Sequence, residues 1–278
     1  MPAGKRAIRA TFATRWRRKL SCKVILTGSM PETHRLKLVI SYDGRDFAGW
    51  QSQKRGNTIQ DNLEAAFERV CGQRLNVTGS GRTDSGVHAL RQCAHVDVPA
   101  TQFAAERWLK ALNGVLPQTI RILRTRFVLK SFHARFSAKG KVYRYRIING
   151  LVRPPLEIGR AWHIAASLDR DLLERAAALF RGRHDFAAFA ANRGKEQRST
   201  IRTVEYVRVT RRRNLIEIEF LADGFLYKMV RLTVGSIVRC ALGKESLQSI
   251  ELRLECPSRT ASRFVAPAGG LYLVRVCY

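Results

Sequence analysis

Hydrophobic and polar positions alternate along many short segments of this chain. Leu36, Leu38 and Ile40 recur at every second position with Lys37 between them, a period that predicts a strand, and Asp-Gly at 43–44 predicts the turn that ends it. The same reasoning predicts further strands at 75–78, 92–98, 120–127, 141–148, 202–210, 215–221 and 270–277.

Helical periodicity separates these strands. Thr58 is placed to cap a helix that ends at Gly72 and carries on one face Ile59, Leu63, Ala66, Phe67 and Val70. We predict other helices at 103–113, at 169–181 with Gly182 as its end, at 225–242 before Gly243, and at 246–254. This alternation predicts an α/β (α+β) fold of two similar halves, residues 35–135 and 136–278, around a mixed, largely antiparallel sheet.

Charge changes this picture from an ordinary globular domain to one that binds a polyanion. The 278 residues include 50 Lys and Arg but only 22 Asp and Glu, a formal charge of +28. Such an excess favours nucleic acid as the partner, with an affinity that falls steeply as salt rises, and an anionic membrane surface second. No apolar run reaches about 18 residues, which excludes a membrane span.

Cysteine and histidine spacing excludes several kinds of site. The six cysteines contain no Cys-x-x-Cys pair, which argues against a disulfide scaffold or zinc ribbon and favours a reducing compartment. The six histidines show no metal-ligand spacing, so we predict structural histidines and no metal.

Residues 1–34 differ from the rest of the chain. Positions 1–30 carry eight basic residues and no acidic one. Three interpretations stay open: an organelle transit peptide, a disordered basic arm, and a start codon assigned too early, with Met30 as the natural start. The location is therefore predicted as cytoplasmic, or mitochondrial or in another organelle if the transit peptide is real.

The segment 79–88, Gly-Ser-Gly-Arg-Thr-Asp-Ser-Gly-Val-His, is the strongest chemical signal. Its three glycines permit a loop that projects side chains, with Arg82 and Asp84 on either side of Thr83. The loop either holds a structural ion pair or presents a carboxylate nucleophile or base beside a guanidinium. It is not a phosphate loop, because Gly-x-x-x-x-Gly-Lys-Ser/Thr is missing.

Two further clusters mix aromatic and basic residues. Phe-His-Ala-Arg-Phe at 132–136 leads into Lys-Val-Tyr-Arg-Tyr-Arg at 141–146, where Arg and Tyr occupy opposite faces of a strand. These tyrosines either enter the core or stack on an unpaired base. Arg231 lies among apolar residues, so we expect it to pair with a buried carboxylate.

Seven motifs occur in one order over residues 36–278. They are Phe-Ala-Gly-Trp-Gln (47–51), Thr-Ile-Gln-Asp (58–61), Gly-Arg-Thr-Asp-Ser-Gly-Val-His-Ala (81–89), Phe-His-Ala-Arg-Phe-Ser (132–137), Tyr-Arg-Tyr (143–145), Met-Val-Arg (229–231) and Ala-Pro-Ala-Gly-Gly-Leu-Tyr-Leu (266–273). In this series the chain resembles the tRNA pseudouridine synthase A family. The block at 81–88 is highly specific, and the others are decisive together. The basic extension and the end at Tyr278 depart from the family and leave the motifs intact.

The resemblance implies the pseudouridine synthase fold and an isomerase that converts uridine to pseudouridine in the anticodon stem-loop of tRNA, at positions 38, 39 and 40. It implies a homodimer, and the isomerisation needs no cofactor. Asp84 would be the nucleophile at C1′ or would assist cleavage through C2′, and Arg231 would pair with it. Arg82 would fill the gap left by the flipped uridine, and Tyr143 would stack on the base and take the C5 proton. The alternative is a non-catalytic RNA-binding or RNA-folding protein on the same scaffold. Such a protein should have lost Asp84, Arg82 or Tyr143, and this chain keeps all three.

Overall fold

Ten strands form the framework of the part of the chain that the computed structural model describes, namely residues 32–54, 56–100, 103–191, 199–257 and 264–278. The predictions for the basic extension at 1–34 lie outside these residues up to position 31. Its expected end at 34 was wrong, because Thr33 and His34 already pair with Pro99 and Val98 as part of the first strand. The strands are β1 (Thr33–Tyr42), β2 (Thr78–Gly79), β3 (His88–Pro99), β4 (Ile120–Val128), β5 (Gly140–Asn149), β6 (Trp162–Ile164), β7 (Gly182–Asp185), β8 (Ile201–Arg212), β9 (Leu215–Ala222) and β10 (Leu271–Cys277).

These strands join into one sheet with the order β4-β1-β3-β10-β5-β9-β8-β7, while β2 adds to β3 and β6 to β5. Among the described residues the β3–β10 and β5–β6 pairs are parallel and the other pairs antiparallel. The predicted mixed, largely antiparallel sheet is therefore confirmed. The sheet continues across the division at 135/136, and the two-half domain boundaries stay a prediction.

Five α-helices accompany the sheet in the described ranges: α1 (Ile59–Cys71), α2 (Ala105–Val115), α3 (Arg170–Ala178), α4 (Met229–Ala241) and α5 (Leu247–Glu255). α1 begins and ends as its sequence predicts. The Thr58 hydroxyl accepts from the Asp61 amide while the Asp61 carboxylate accepts from the Thr58 amide, a capping box. Gly72 follows with φ of 75°, a left-handed conformation that suits glycine.

The core lies where the strand alternation places it. Leu36, Leu38 and Ile40 of β1 are fully buried, as the period of two predicts. From α1 and α2, Phe67 and Trp108 pack together with ring centroids 5.8 Å apart. Thr33–Tyr278 is one compact unit. None of the helices in the described ranges is both long enough and apolar enough to cross a bilayer.

Three element predictions were wrong in their extent. The strand expected at 75–78 is reduced to Thr78–Gly79, because the Val77 amide donates to the Glu64 carboxylate (3.2 Å) instead of a neighbouring strand. The helix expected from residue 225 begins at Met229, because Lys228 has φ of 59°, outside the helical range. The third helix ends at Ala178, before Gly182, which has φ of 113° and opens β7.

The centre of the sheet brings distant segments together. Leu273 of β10 pairs with Ala89 of β3 on one side and with Tyr143 of β5 on the other. Neighbouring strands lie about 4.8 Å apart, so Tyr143 is roughly 10 Å from Ala89, which follows Asp84 by five positions. The register therefore brings Tyr143 close to the loop that holds Asp84.

Candidate active site

A cavity of about 860 Å³ opens beside the 79–88 loop. Its wall includes three of the sequence-predicted site residues, Arg82, Asp84 and Tyr143. The segment 225–230, which precedes and begins α4, forms another part of the wall. Residues as far apart in the sequence as Arg82 and Val230, which are 148 positions apart, thus line the same cavity.

The first half of the loop is tied to β3 through Gln92. The buried Gln92 side chain accepts from the Ser80 hydroxyl (2.7 Å) and donates to the Gly81 carbonyl (2.9 Å). The Ser80 amide also donates to the Cys93 carbonyl (2.8 Å). These contacts fix the backbone directly before Arg82.

The second half of the loop is held from β1 and from the 47–51 segment. The hydroxyls of Tyr42 and Thr83, both buried, lie 2.8 Å apart in a hydrogen bond, and the Trp50 amide donates to the Thr83 carbonyl (3.1 Å). Gly49 has φ of 92°, and a Cβ there would lie 2.6 Å from the Thr83 carbonyl oxygen. Glycine is therefore required for this close approach, and Thr83 fixes the position of its neighbour Asp84.

Asp84 forms the ion pair that the sequence predicts for Arg231. The Arg231 Nη1 lies 3.2 Å from the Asp84 Oδ2, with both side chains largely buried. The Arg231 Nε donates to the Ala266 carbonyl (2.8 Å), and the Ala266 amide donates back to the Arg231 carbonyl (3.1 Å). The guanidinium is thus held on two sides and offsets the cost of burying a carboxylate.

Tyr143 lies on the cavity wall with only 7% of its surface exposed. Its ring meets Phe225 edge to face, with centroids 4.9 Å apart. Burial raises the pKa of the Tyr143 hydroxyl, and the nearby Tyr42 and Asp84 raise it further. The hydroxyl is therefore protonated at neutral pH. The alternating Tyr143 and Tyr145 are both buried, as the strand pattern predicts, and Tyr145 donates to the Pro267 carbonyl.

Arg82 is exposed and is oriented by a chain of amides that sequence reasoning missed. Its Nε donates to the Gln51 Oε1 (3.1 Å), and the Gln51 Nε2 donates to the Gln60 Oε1 (2.8 Å). Gln60 in turn donates to the Glu64 carboxylate (2.8 Å) on α1. Gln51 and Gln60 stand in two of the recognised motifs, and that position was the available signal for their role.

The histidine of the motif is structural. The His88 Nδ1 accepts from the Gly44 amide (3.1 Å), which leaves Nε2 to donate to the Gly159 carbonyl (2.9 Å). Burial lowers the pKa of His88, and its ring stacks on Tyr272 at 4.6 Å. Within the described ranges no group of three His, Cys, Asp or Glu residues is arranged to hold a metal ion.

Comparison with known proteins adds an independent observation. A family model described as tRNA pseudouridine synthase matches residues 38–137 and 176–278. The chain is 45% identical over 251 residues to tRNA pseudouridine synthase A of Akkermansia muciniphila, covering 88% of this chain and 95% of the relative. It is 40% identical to the protein of that name from Acetivibrio thermocellus, covering 87% and 99%. A third, from Rhodospirillum rubrum, is 42% identical, covering 87% of each chain.

Proposed function

This chain belongs to the tRNA pseudouridine synthase family, and we propose that it isomerises uridine to pseudouridine in the anticodon stem-loop of tRNA, at positions 38, 39 and 40. The observation that supports this best is the Asp84–Arg231 pair on the wall of a cavity shared with Tyr143. The formal charge of +28 suits a substrate that carries a phosphate on every nucleotide.

The uridine must leave its stack before its C1′ can reach a carboxylate inside a cavity. Arg82, exposed at the cavity wall and oriented by Gln51, is placed to fill the gap that the base leaves. Its preset orientation lowers the entropy lost when it inserts.

Asp84 then acts as the nucleophile in the proposed reaction. Attack of its carboxylate on C1′ breaks the bond to N1 and leaves the base as a uracil anion. The base turns, its C5 bonds to C1′, and the Asp84 oxygen leaves with its electron pair. Atoms and charge balance once the proton on C5 has been moved to N1, the nitrogen that cleavage left free. In the alternative route Asp84 assists cleavage by removing a proton from C2′. Arg231 stabilises the carboxylate whenever it is free in either route.

Tyr143 stacks on the flipped base and handles the C5 proton. Because its pKa is raised, its hydroxyl is a hydrogen-bond donor in the resting enzyme and must release its own proton as it accepts one from C5. We assign the freed Asp84 carboxylate, which lines the same cavity, as the acceptor of that proton. Asp84 then passes the proton to N1 of the base, which completes pseudouridine and restores the ionised carboxylate. Phe225, which meets the Tyr143 ring edge to face, keeps that ring in place.

The substitution Asp84→Asn tests this assignment. Asn keeps the shape of the side chain but cannot attack as an anion, so we expect pseudouridine formation to stop while tRNA binding persists. Release of tritium from C5-labelled uridine in tRNA measures turnover. Asp171→Asn makes the same chemical change on the exposed face of α3 and serves as the control.

Turnover by Asp84→Asn at the wild-type rate would contradict the assignment. A wild-type protein that binds tRNA and forms no pseudouridine would favour the second candidate, a non-catalytic RNA-binding or RNA-folding protein on the same scaffold. We also propose that the protein is a homodimer that acts in the cytoplasm. Sedimentation of the full chain tests the first point, and the location of a tagged full-length protein tests the second.

A further inference from the structure

Three cationic side chains line one part of the Asp84 cavity: Arg135, Lys141 and Arg202. They come from the turn after residue 132, from the start of β5 and from the start of β8. Their convergence is therefore a product of the fold and not of a charged run in the sequence. The mechanism above assigns them no role.

Lys141 reaches the backbone of the loop that carries Asp84. A Cβ at Gly81 would lie 3.3 Å from the Lys141 Nζ, so the ammonium group lies against the Gly81 backbone. Burial lowers the pKa of Lys141, and the charges of Arg135 and Arg202 lower it further. The ammonium group of Lys141 therefore lies in a partly dry position, against a glycine that precedes the nucleophile by three residues.

In the part of the chain that the structure describes, no carboxylate is paired with Lys141 or with its two arginine neighbours, Arg135 and Arg202. The Arg202 Nη1 donates to the carbonyls of Ser199 and Ile201, and these neutral acceptors leave the charge of the guanidinium uncancelled. Three like charges on one cavity wall repel each other, and an anion would relieve that cost.

Three hydrogen bonds hold the backbone of the turn that carries Arg135. The His133 Nδ1 accepts from the Arg135 amide (3.1 Å) and the Phe136 amide (3.2 Å), and the Ser137 hydroxyl accepts from the His133 amide (2.9 Å). Arg135 is thus presented from a fixed backbone, and the entropy lost when it binds an anion is reduced accordingly.

We propose that Lys141, Arg135 and Arg202 form a subsite for a single RNA phosphate, the one that flanks the flipped uridine. The identity of that nucleotide rests on the proposed function, whereas the anion site itself rests on the geometry above. A flipped nucleotide stays tied to its neighbours through its two flanking phosphates, so one of them must pass close to the Asp84 loop. Of the three cations, only Lys141 would come within 4 Å of a Cβ at Gly81 on this loop. The subsite positions C1′ by fixing the backbone on one side of the sugar.

Neutral phosphate analogues test the proposal. Anticodon stem-loop RNAs carry one uncharged methylphosphonate linkage each, moved in turn through the positions around the target uridine. Binding is measured to full-length Asp84→Asn protein, so that turnover does not interfere. We expect about a tenfold loss of affinity at one flanking linkage, equivalent to about 1.4 kcal/mol, and smaller losses elsewhere, because only that linkage loses a charge-assisted contact.

Lys141→Met on the same background is expected to bind the unmodified RNA about tenfold more weakly and to lose its sensitivity to that linkage. Lys141→Arg is expected to retain both the affinity for the unmodified RNA and the sensitivity to that linkage. Lys139→Met, two residues away at an exposed position that does not line the cavity, is the matched control and is expected to keep the wild-type pattern. Should Lys141→Met fail to fold, Arg135→Gln and Arg202→Gln carry the same measurement.

A linkage profile that Lys141→Met leaves unchanged would overturn the proposal, as would a wild-type profile with no single sensitive linkage. Failure of the proposed function is a separate result. If the protein forms no pseudouridine but its binding still depends on one linkage through Lys141, the phosphate subsite stands and the proposed function fails. If the enzyme is active and no such linkage is found, the proposed function stands and the subsite fails.

Discussion

The hydrogen bond between Tyr42 and Thr83 offers a direct test of how the loop around Asp84 is held. Both residues are at most 6% exposed, and their hydroxyls are 2.8 Å apart. Tyr42→Phe or Thr83→Val leaves the other hydroxyl buried without this partner, which costs about 1–3 kcal/mol of unfolding free energy.

The double variant removes both hydroxyls and leaves neither unpaired. We expect its loss of unfolding free energy to be about 1 kcal/mol smaller than the sum of the losses in the two single variants. Urea unfolding of the four proteins measures this coupling.

Turnover should respond differently from stability. Without the bond Thr83 no longer fixes its neighbour Asp84, and small displacements of a nucleophile can cost up to about a hundredfold in rate.

We therefore expect kcat to fall by roughly tenfold in each single variant and to stay low in the double variant, although its stability partly recovers. Additive costs in urea would show that the bond contributes nothing to stability. A wild-type kcat in all three variants would show that Gln92 and Trp50 alone suffice to hold the loop.

Substitutions at two other positions probe the cavity and the pH dependence of the fold. Tyr143→Phe keeps the ring and should lose turnover much more than tRNA binding if the hydroxyl handles the C5 proton. Tyr143→Ala removes the ring as well and should weaken both turnover and binding. If both variants were fully active, Tyr143 would be a core residue only. Burial alone would raise the pKa of Asp43, but hydrogen bonds from Arg45 and Arg160 and the nearby His88 bring it to about 2 from 3.8. A depressed carboxyl pKa adds stability that is fully present above about pH 4 and is lost as the pH falls towards 2, so the difference in Tm between wild type and Asp43→Asn should shrink over that range. A difference that grows on acidification would refute this sign.

Local patterns were sufficient where one segment determines its own structure. The alternation in β1 and the capping residues of α1 predict those elements because burial and cap bonds are set by residues a few positions apart. The prediction at 75–78 was wrong because the Glu64 carboxylate on α1 accepts from the Val77 amide, a contact between separate elements. The start of α4 was misplaced for a related reason. The apolar residues at 225–227 resemble a helical face, yet they line the cavity.

The site itself was only partly predictable from residue types. That Arg231 seeks a carboxylate follows from a charge among apolar neighbours, but which carboxylate it meets depends on contacts across 147 positions. Hydrophobic periodicity could not predict the hydrogen bonds from Arg82 to Gln51 and from Gln51 to Gln60, because amide side chains are neutral and common on surfaces. The motif series signalled that those positions matter, and only the fold assigns them a contact.

The closing strand explains why the reacting groups meet at all. Asp84 precedes β3, Tyr143 lies on β5 and Arg231 on α4, so neither half of the sequence contains a complete site. β10 lies between β3 and β5, parallel to the first and antiparallel to the second, and its Leu273 is fully buried at the point where both pair with it. Because a one-residue slip of β10 would turn Leu273 out of the core, burial of this one side chain fixes the register on both sides. The hydrophobic core and the distance between the nucleophile loop and Tyr143 are thus set by the same strand.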